Sequence, residues 1–253
     1  MARLANGHLN DLTAGRTPVE QFPQARVITS YAKGVFRDGH VEWFGQPFSL
    51  MQLYERGMFQ LEDPVSRFIP SWKNQQVYVS GEGDTLETRR PEQPMTMRHV
   101  LTHMSGLSYG AGNHPVDRQY RAHHVTRTEG ETLAGFVEKL AQVPLHFDPG
   151  SRWMYSYSTD ICGHLVEVLS GQRLEEYFDE HIFGPLGMND TAFWVPDEKL
   201  GRLAANYQRQ PDKSLKLIDD PWQSTYRKPP SFLSGGGGLA GTMLVRTTGG
   251  SSS

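Results

Sequence analysis

The chain has 253 residues, a formal charge of −3 and a single cysteine, with 37% hydrophobic and 21% charged residues. That is enough for one large domain or two small ones. The near-neutral balance makes no electrostatic case for nucleic acid or an anionic membrane, and the lone Cys162 excludes an internal disulfide and a Cys-rich zinc site. No apolar run approaches the ~20 residues that span a bilayer. Met1-Ala2-Arg3-Leu4 opens no apolar signal core, so a cytoplasmic location is expected by default.

Residues 1–24 are polar, with a short helix expected near Leu9 and Leu12. Val27, Ile28, Tyr31 and Val35 suggest a strand over residues 26–35. Arg37-Asp38-Gly39-His40 reads as a hairpin turn, and Val41-Glu42-Trp43-Phe44-Gly45 as the returning strand. Leu50, Leu53 and Tyr54 start a helical period that Gly57 stops. Residues 61–70 form a Pro-bounded stretch expected to pack over a helix, and residues 74–93 are polar, with Gly81-Glu82-Gly83-Asp84 as a surface loop. Thr96 can cap a helix whose Met97, Val100 and Leu101 share a face. Residues 108–128, rich in Gly, His, Arg and Tyr, read as a long exposed excursion, of the kind that is functional or mobile.

Thr132 caps the next helix, with Leu133, Phe136, Val137 and Leu140 on one face and Pro144 beyond its end. Pro149-Gly150 is a tight turn. The bulky and small residues that follow, from Ser151 to Ser158, show no helical period. From Thr159 a helix is expected, capped by Thr159 or Asp160, with Ile161, Leu165, Val168 and Leu169 on its buried face and Gly171 at its C′ position. Cys162 falls inside that helix and reads as an inert buried thiol. Leu174, Tyr177, Phe178 and Ile182 mark another amphipathic helix, ended by Gly184-Pro185. Residues 195–231 read as loop, and residues 243–253 as a loose polar tail.

Several short patterns fall short of the chemistry they suggest. His99 and His103 are spaced i, i+4, but the zincin signature needs Glu after the first His, and Val100 stands there. His123-His124 has no evident third ligand, so neither metal nor cofactor is expected. Gly235-Gly236-Gly237-Gly238 lacks the Lys-Ser/Thr of a phosphate loop and reads as close backbone packing. His103-Met104-Ser105-Gly106 lacks the first glycine of a nucleophile elbow and reads as a helix-ending turn.

Five ordered segments carry a family resemblance over about residues 48–242. They are Leu50-Met51-Gln52-Leu53-Tyr54-Glu55-Arg56-Gly57 with Leu61-Glu62-Asp63-Pro64-Val65; Met95-Thr96-Met97-Arg98-His99-Val100-Leu101-Thr102-His103-Met104-Ser105-Gly106-Leu107; Pro149-Gly150 through Tyr155-Ser156-Tyr157, with the helix ending Leu169-Ser170-Gly171; Phe183-Gly184-Pro185-Leu186-Gly187-Met188; and Ser234-Gly235-Gly236-Gly237-Gly238-Leu239. Together they resemble the serine β-lactamase-related family, which includes class C β-lactamases, family VIII carboxylesterases and related penicillin-binding proteins. The resemblance implies an α/β (α+β) fold of the β-lactamase/transpeptidase type, a helical region beside an antiparallel sheet. Residues 1–253 would form a single domain, with 1–47 as an N-terminal hairpin region.

The family's chemistry needs a Ser-x-x-Lys, a Tyr-x-Asn element and a Lys-Thr-Gly-type strand; the Ser attacks an acyl carbonyl and backbone N–H groups hold the oxyanion. Tyr155 matches the tyrosine of the second element, as general base or proton relay. Tyr157 stands where many members have Asn, which suits the esterase branch; it and Gly237 and Gly238 are the implied substrate-binding positions. Ser30-Tyr31-Ala32-Lys33 is the Ser-x-x-Lys string present, with Ser30 as nucleophile and Lys33 as its partner, although in a strand these two would point to opposite faces. Thr247-Thr248-Gly249 only superficially resembles the third element, so the sheet is expected to be incomplete. The expectation is a serine hydrolase of esterase type that cleaves small acyl esters, or β-lactam or amide bonds, through an acyl-enzyme. The alternatives are a catalytically inactive homologue or binding protein that keeps the helical half, and a peptidase-like member acting on D-amino-acid peptides.

Overall fold

The computed structural model describes residues 35–36, 39–40, 42–127 and 130–241. The readings placed on residues 1–34, among them Ser30 and Lys33, and on Thr247-Thr248-Gly249 lie outside these residues. The described residues divide into two compact units. One comprises 43–178 and 231–236; the other comprises 179–230 and 237–241, with the residues before Trp43.

A short ribbon pairs β1 (Val35–Phe36) antiparallel with β2 (Gly39–His40), Val35 opposite His40, so that Gly39 and His40, expected in the turn, are strand. The return strand expected over 41–45 is not borne out over residues 42–45. From Glu42 the chain is helical, and α1 (Glu42–Glu55) runs on through the Leu50–Leu53 period. Leu50 and Leu53 are buried. Gly57, at φ 74°, ends the helix in a Schellman turn: Met58 N–H donates to Leu53 C=O at 3.0 Å and Gly57 N–H to Tyr54 C=O at 2.8 Å.

The Pro-bounded stretch then closes over the start of α2 (Met97–Leu101). The N–H groups of Met97 and Arg98, which no helical carbonyl can satisfy, donate to the carbonyls of Asp63 and Leu61 at 3.0 and 2.9 Å. Residues 74–93 carry strands on either side of the loop expected at 81–84. They contain β3 (Val77–Ser80) and β4 (Glu87–Arg89), an antiparallel ribbon with an irregular register between Tyr78 and Ser80. The alternation is masked because β4 is exposed throughout and only Val77 is buried in β3. Tertiary pairing supplies what the pattern lacks: Leu145 N–H donates to Gln76 C=O, and Tyr78 N–H to Leu145 C=O.

The 108–128 excursion is more closely packed than its composition suggests. It forms α3 (Pro115–Ala122), with Val116 and Tyr120 fully buried. Helix α4 (Leu133–Leu140) follows its sequence reading closely. Thr132 Oγ1 accepts from Gly135 N–H, and Leu133, Phe136, Val137 and Leu140 are all buried.

Helix α5 (Ser158–Ser170) starts one residue earlier than expected, with Tyr157 at the N-cap and no side-chain cap; neither Thr159 nor Asp160 fills that role. Its buried face is also rotated from the expected one. Ile161, Cys162, Leu165 and Val166 are buried, whereas Val168 is 43% exposed. Gly171 takes the left-handed C-terminal position at φ 73° as expected. Leu174 to Ile182 is helical in two pieces, α6 (Leu174–Phe178) and a π-helical turn (Asp179–Phe183). In the latter, Gly184 N–H reaches back to Asp179 C=O.

In the second unit, residues 195–231 are not all loop: β5 (Asn206–Arg209) and β6 (Leu215–Asp219) pair antiparallel. Their side chains are largely exposed, so no apolar/polar alternation announces them. A small core gathers Val195, Leu200, Leu203 and Ala240, with Tyr226 against it. Among the described residues, antiparallel β structure thus takes the form of three two-stranded ribbons.

The aromatic ring of Phe136 is fully buried and meets the rings of Tyr157 and Phe232 at 4.8 and 5.2 Å. Phe136→Ala leaves a cavity at the centre of the first unit, and a loss of about 3–5 kcal/mol in urea unfolding is expected. A change under about 1 kcal/mol would contradict this packing.

Candidate active site

The site is assembled where the turn after α2 lies against residues 146–154. Three backbone hydrogen bonds join the two segments: His146 N–H to Gly106 C=O at 2.8 Å, Gly150 N–H to Met104 C=O at 2.8 Å, and Met154 N–H to His103 C=O at 2.9 Å. Gly106 sits at φ 85°, where a Cβ would run into Phe147 C=O. Gly150 is at φ 86°, where a Cβ would lie 2.8 Å from His99 Nε2. A side chain at either position would push the segments apart. The seam delivers Tyr155 immediately before α5.

Tyr155 is half-buried among rings. His103 lies 4.9 Å away between centroids, Tyr109 lies 5.3 Å away, and Trp153 stacks at 6.4 Å and 14°. Trp153 is 60% exposed, so this aromatic group opens to solvent on one side. Tyr109 is hydrogen-bonded to Tyr155. Burial, followed by the neighbouring Tyr155, pushes the Tyr109 phenol well above its ordinary pKa, so Tyr109 keeps its proton.

Beneath Tyr155 runs a chain of buried hydroxyls. His103 Nδ1 lies 3.5 Å from Ser156 Oγ, Ser156 Oγ lies 2.9 Å from Ser158 Oγ, and Ser158 Oγ lies 2.8 Å from Ser105 Oγ. Ser105, Ser156 and Ser158 have no solvent exposure. Ser105 is therefore a buried link in this chain, which agrees with a turn in place of a nucleophile elbow.

The histidine pair weighed as metal ligands does not share a helix face. His99 is tied into the α2 capping box: its Nδ1 accepts from Thr96 N–H at 3.2 Å, while Thr96 Oγ1 accepts from His99 N–H. α2 ends at Leu101, and His103 is turned into the left-handed region at φ 57°. Among the described residues, no cluster of three or more His, Cys, Asp or Glu could hold a metal. Cys162 is buried and its thiol is pushed up by burial, which agrees with its reading as inert.

Of the implied substrate positions, Tyr157 forms part of an interior wall. It meets Tyr109 at 4.7 Å, Phe136 at 4.8 Å and the Arg127 guanidinium at 5.5 Å. Gly237 and Gly238 belong to the other unit; Gly238 has φ 102°, and a Cβ on Gly237 would meet nothing. Tyr109 was missed in the sequence because it stands two residues beyond the Met95–Leu107 motif, in a stretch read as exposed loop. Asp160 was read only as a cap. Its oxygens face other segments: Oδ1 accepts from Ser234 Oγ at 2.7 Å, and Oδ2 pairs with Arg127 at 2.7 Å.

A mixed helix-and-ribbon unit thus fixes Tyr155 just ahead of α5. Residues 49–244 match the family described as Beta-lactamase. The chain belongs to that family and has its β-lactamase/transpeptidase-like fold. It is 35% identical to monacolin J acid methylbutanoyltransferase of Aspergillus terreus over 67% of this chain and 41% of that protein. It is 30% identical to esterase EstB of Burkholderia gladioli over 77% of this chain and 50% of that protein. Among solved structures, a mutant simvastatin synthase from Aspergillus terreus superposes with a TM-score of 0.68 at 28% identity, covering 87% of this chain and 49% of that one. The chain spans about half the length, or less, of these curated relatives. Among the described residues, no helix is long and apolar enough to cross a membrane.

His99, His103 and His146 all have pKa values lowered, chiefly by burial. The unfolded chain therefore takes up protons first as pH falls below about 6.5, so the stability of the fold declines from there down to the folded pKa values. The expected outcome is a lower urea midpoint at pH ~5.5 than at pH ~7.5. A midpoint that rises on acidification would show that these rings are not held neutral.

Proposed function

We propose that the protein is a serine hydrolase or acyltransferase of esterase type that acts on small acyl esters through a covalent acyl-enzyme. The observation that carries this reading is the setting of Tyr155. Its backbone is tied by the Gly106/Gly150 seam, and its oxygen is met by a protonated Tyr109 in a cluster open to solvent at Trp153. Two relatives named as a methylbutanoyltransferase and an esterase both handle acyl groups, which supports the same reaction class.

In this reading Ser30 Oγ attacks the ester carbonyl and its proton passes to Lys33 or Tyr155. The ester C–O bond breaks, and the proton is returned to the departing alcohol through Tyr155. Water or a second alcohol then attacks the acyl-Ser30 ester, gives up its proton along the same route and releases Ser30. Hydrolysis and acyl transfer differ only in that second nucleophile.

The test is intact-mass spectrometry after incubation with a fluorophosphonate. A one-to-one adduct that maps to Ser30 and is lost in Ser30→Ala is expected. An adduct on another serine would relocate the nucleophile, and no adduct on a chain shown folded by circular dichroism would favour the binding-protein alternative. Turnover of p-nitrophenyl acetate adds a second check: Tyr155→Phe removes the proton relay and should lower kcat by about 10²–10⁴-fold. Tyr109→Phe removes only a hydrogen-bond partner of Tyr155, so its loss should be smaller, about tenfold. A Tyr155→Phe protein with wild-type kcat would end the assignment.

A further inference from the structure

Asp160 is a fully buried carboxylate that joins three separate stretches of chain. Its Oδ1 accepts from Ser234 Oγ at 2.7 Å and from Gly236 N–H at 3.4 Å, while Oδ2 accepts from Arg127 Nη2 at 2.7 Å. Ser234 Oγ itself accepts from Gly236 N–H at 3.2 Å. Glycine allows this approach: a Cβ on Gly235 would stand 2.9 Å from Asp160 Cα and closer still to Thr159 C=O. The close backbone packing read from the glycine run is thus centred on the first turn of α5.

Arg127 carries the effect toward the site. Its guanidinium sits 5.5 Å from the Tyr157 ring and 5.6 Å from Phe232. Tyr157 in turn packs on Tyr109, which meets the Tyr155 ring at 5.3 Å and is hydrogen-bonded to it. Capping does not explain an aspartate here, since Tyr157 occupies the N-cap and both Asp160 oxygens face other segments. Hydrogen bonding to Ser234 alone does not explain it either, because an asparagine oxygen would serve. The charge is matched to Arg127.

We propose that Asp160 is a positioning residue for Tyr155, holding Arg127 against Tyr157 and the Ser234–Gly236 segment against the start of α5. The role rests on the catalytic reading of Tyr155 given above. Asp160 touches neither substrate nor the reacting atoms; it acts through the wall of rings that sets the Tyr109–Tyr155 hydrogen bond. A small displacement of a catalytic side chain costs up to about 100-fold in rate without weakening substrate binding in proportion.

Two variants separate the parts of this clamp. Asp160→Asn keeps an oxygen for Ser234 and Gly236 but turns an amide toward Arg127, a donor facing a donor. Arg127→Met removes the other side of the pair from a partly exposed position, so it is the safer variant for folding. Each is expected to lower kcat for p-nitrophenyl acetate by about 10–100-fold with KM changed by less than about twofold, and the double variant should be no worse than either single one. In hydrogen exchange, residues 153–158 should lose protection in both, while residues 231–239 should stay protected in Asp160→Asn. Wild-type kcat in Asp160→Asn, additive losses in the double variant, or unchanged exchange at residues 153–158 would each overturn the proposal. A wild-type chain that neither turns over the ester nor takes up fluorophosphonate would overturn the acyl-transfer reading; the clamp would then stand or fall on the exchange data alone.

Discussion

The Tyr155 site depends on two strands of irregular backbone that approach at glycine distance. Gly106 and Gly150 both take positive φ, and each has a partner group where a Cβ would stand. With those side chains absent, His103, Met104 and Gly106 accept hydrogen bonds from Met154, Gly150 and His146. Three backbone N–H groups find carbonyls across the seam, the kind of matching that a loop running through a protein interior requires. Tyr155, Ser156, His103 and Ser105 then reach their positions as a consequence of the seam.

What lies behind the tyrosine is polar but carries little charge. Three serine hydroxyls can each donate or accept as their neighbours demand, and burial holds His103 toward its neutral form. The fully buried carboxylate nearby, Asp160, is met by Arg127 and by two further donors. A buried charge left without such partners would be costly, and it would also impose its own field on a phenol a few residues away. Even so matched, Asp160 still acts on the Tyr109 and Tyr157 phenols, where, beyond burial, its charge opposes ionisation.

Much of this architecture was legible where local chemistry and burial agree. Thr132 followed by Leu133, Phe136, Val137 and Leu140 announced α4, and the structure buries those four side chains. Thr96 and Gly171 were legible for the same reason: a cap and a left-handed terminus are decided within a turn of helix. The ribbons were not. β4, β5 and β6 are mostly exposed on both faces, so their pattern shows no period of two, and β3 is held by Leu145, a residue far along the chain. The α5 face was misjudged by a fraction of a turn: Val168 looks like core by type, but the neighbouring elements cover Cys162 and Val166 instead.

The site was legible only in part, for a related reason. Tyr155 could be reached through the resemblance, because its motif is contiguous in the chain. Tyr109, Arg127 and Asp160 belong to three segments that meet only in the fold, and each side chain has an ordinary role in its own segment: a loop aromatic, a surface arginine, a helix-start aspartate. Their function is a property of the meeting. Asp160 shows this most directly. At the third position of a helix an aspartate is usually explained by the helix dipole, and here its oxygens are turned to Arg127, Ser234 and Gly236. When a group leaves the local role open to it, the partners it has found across the chain explain why that residue type is present.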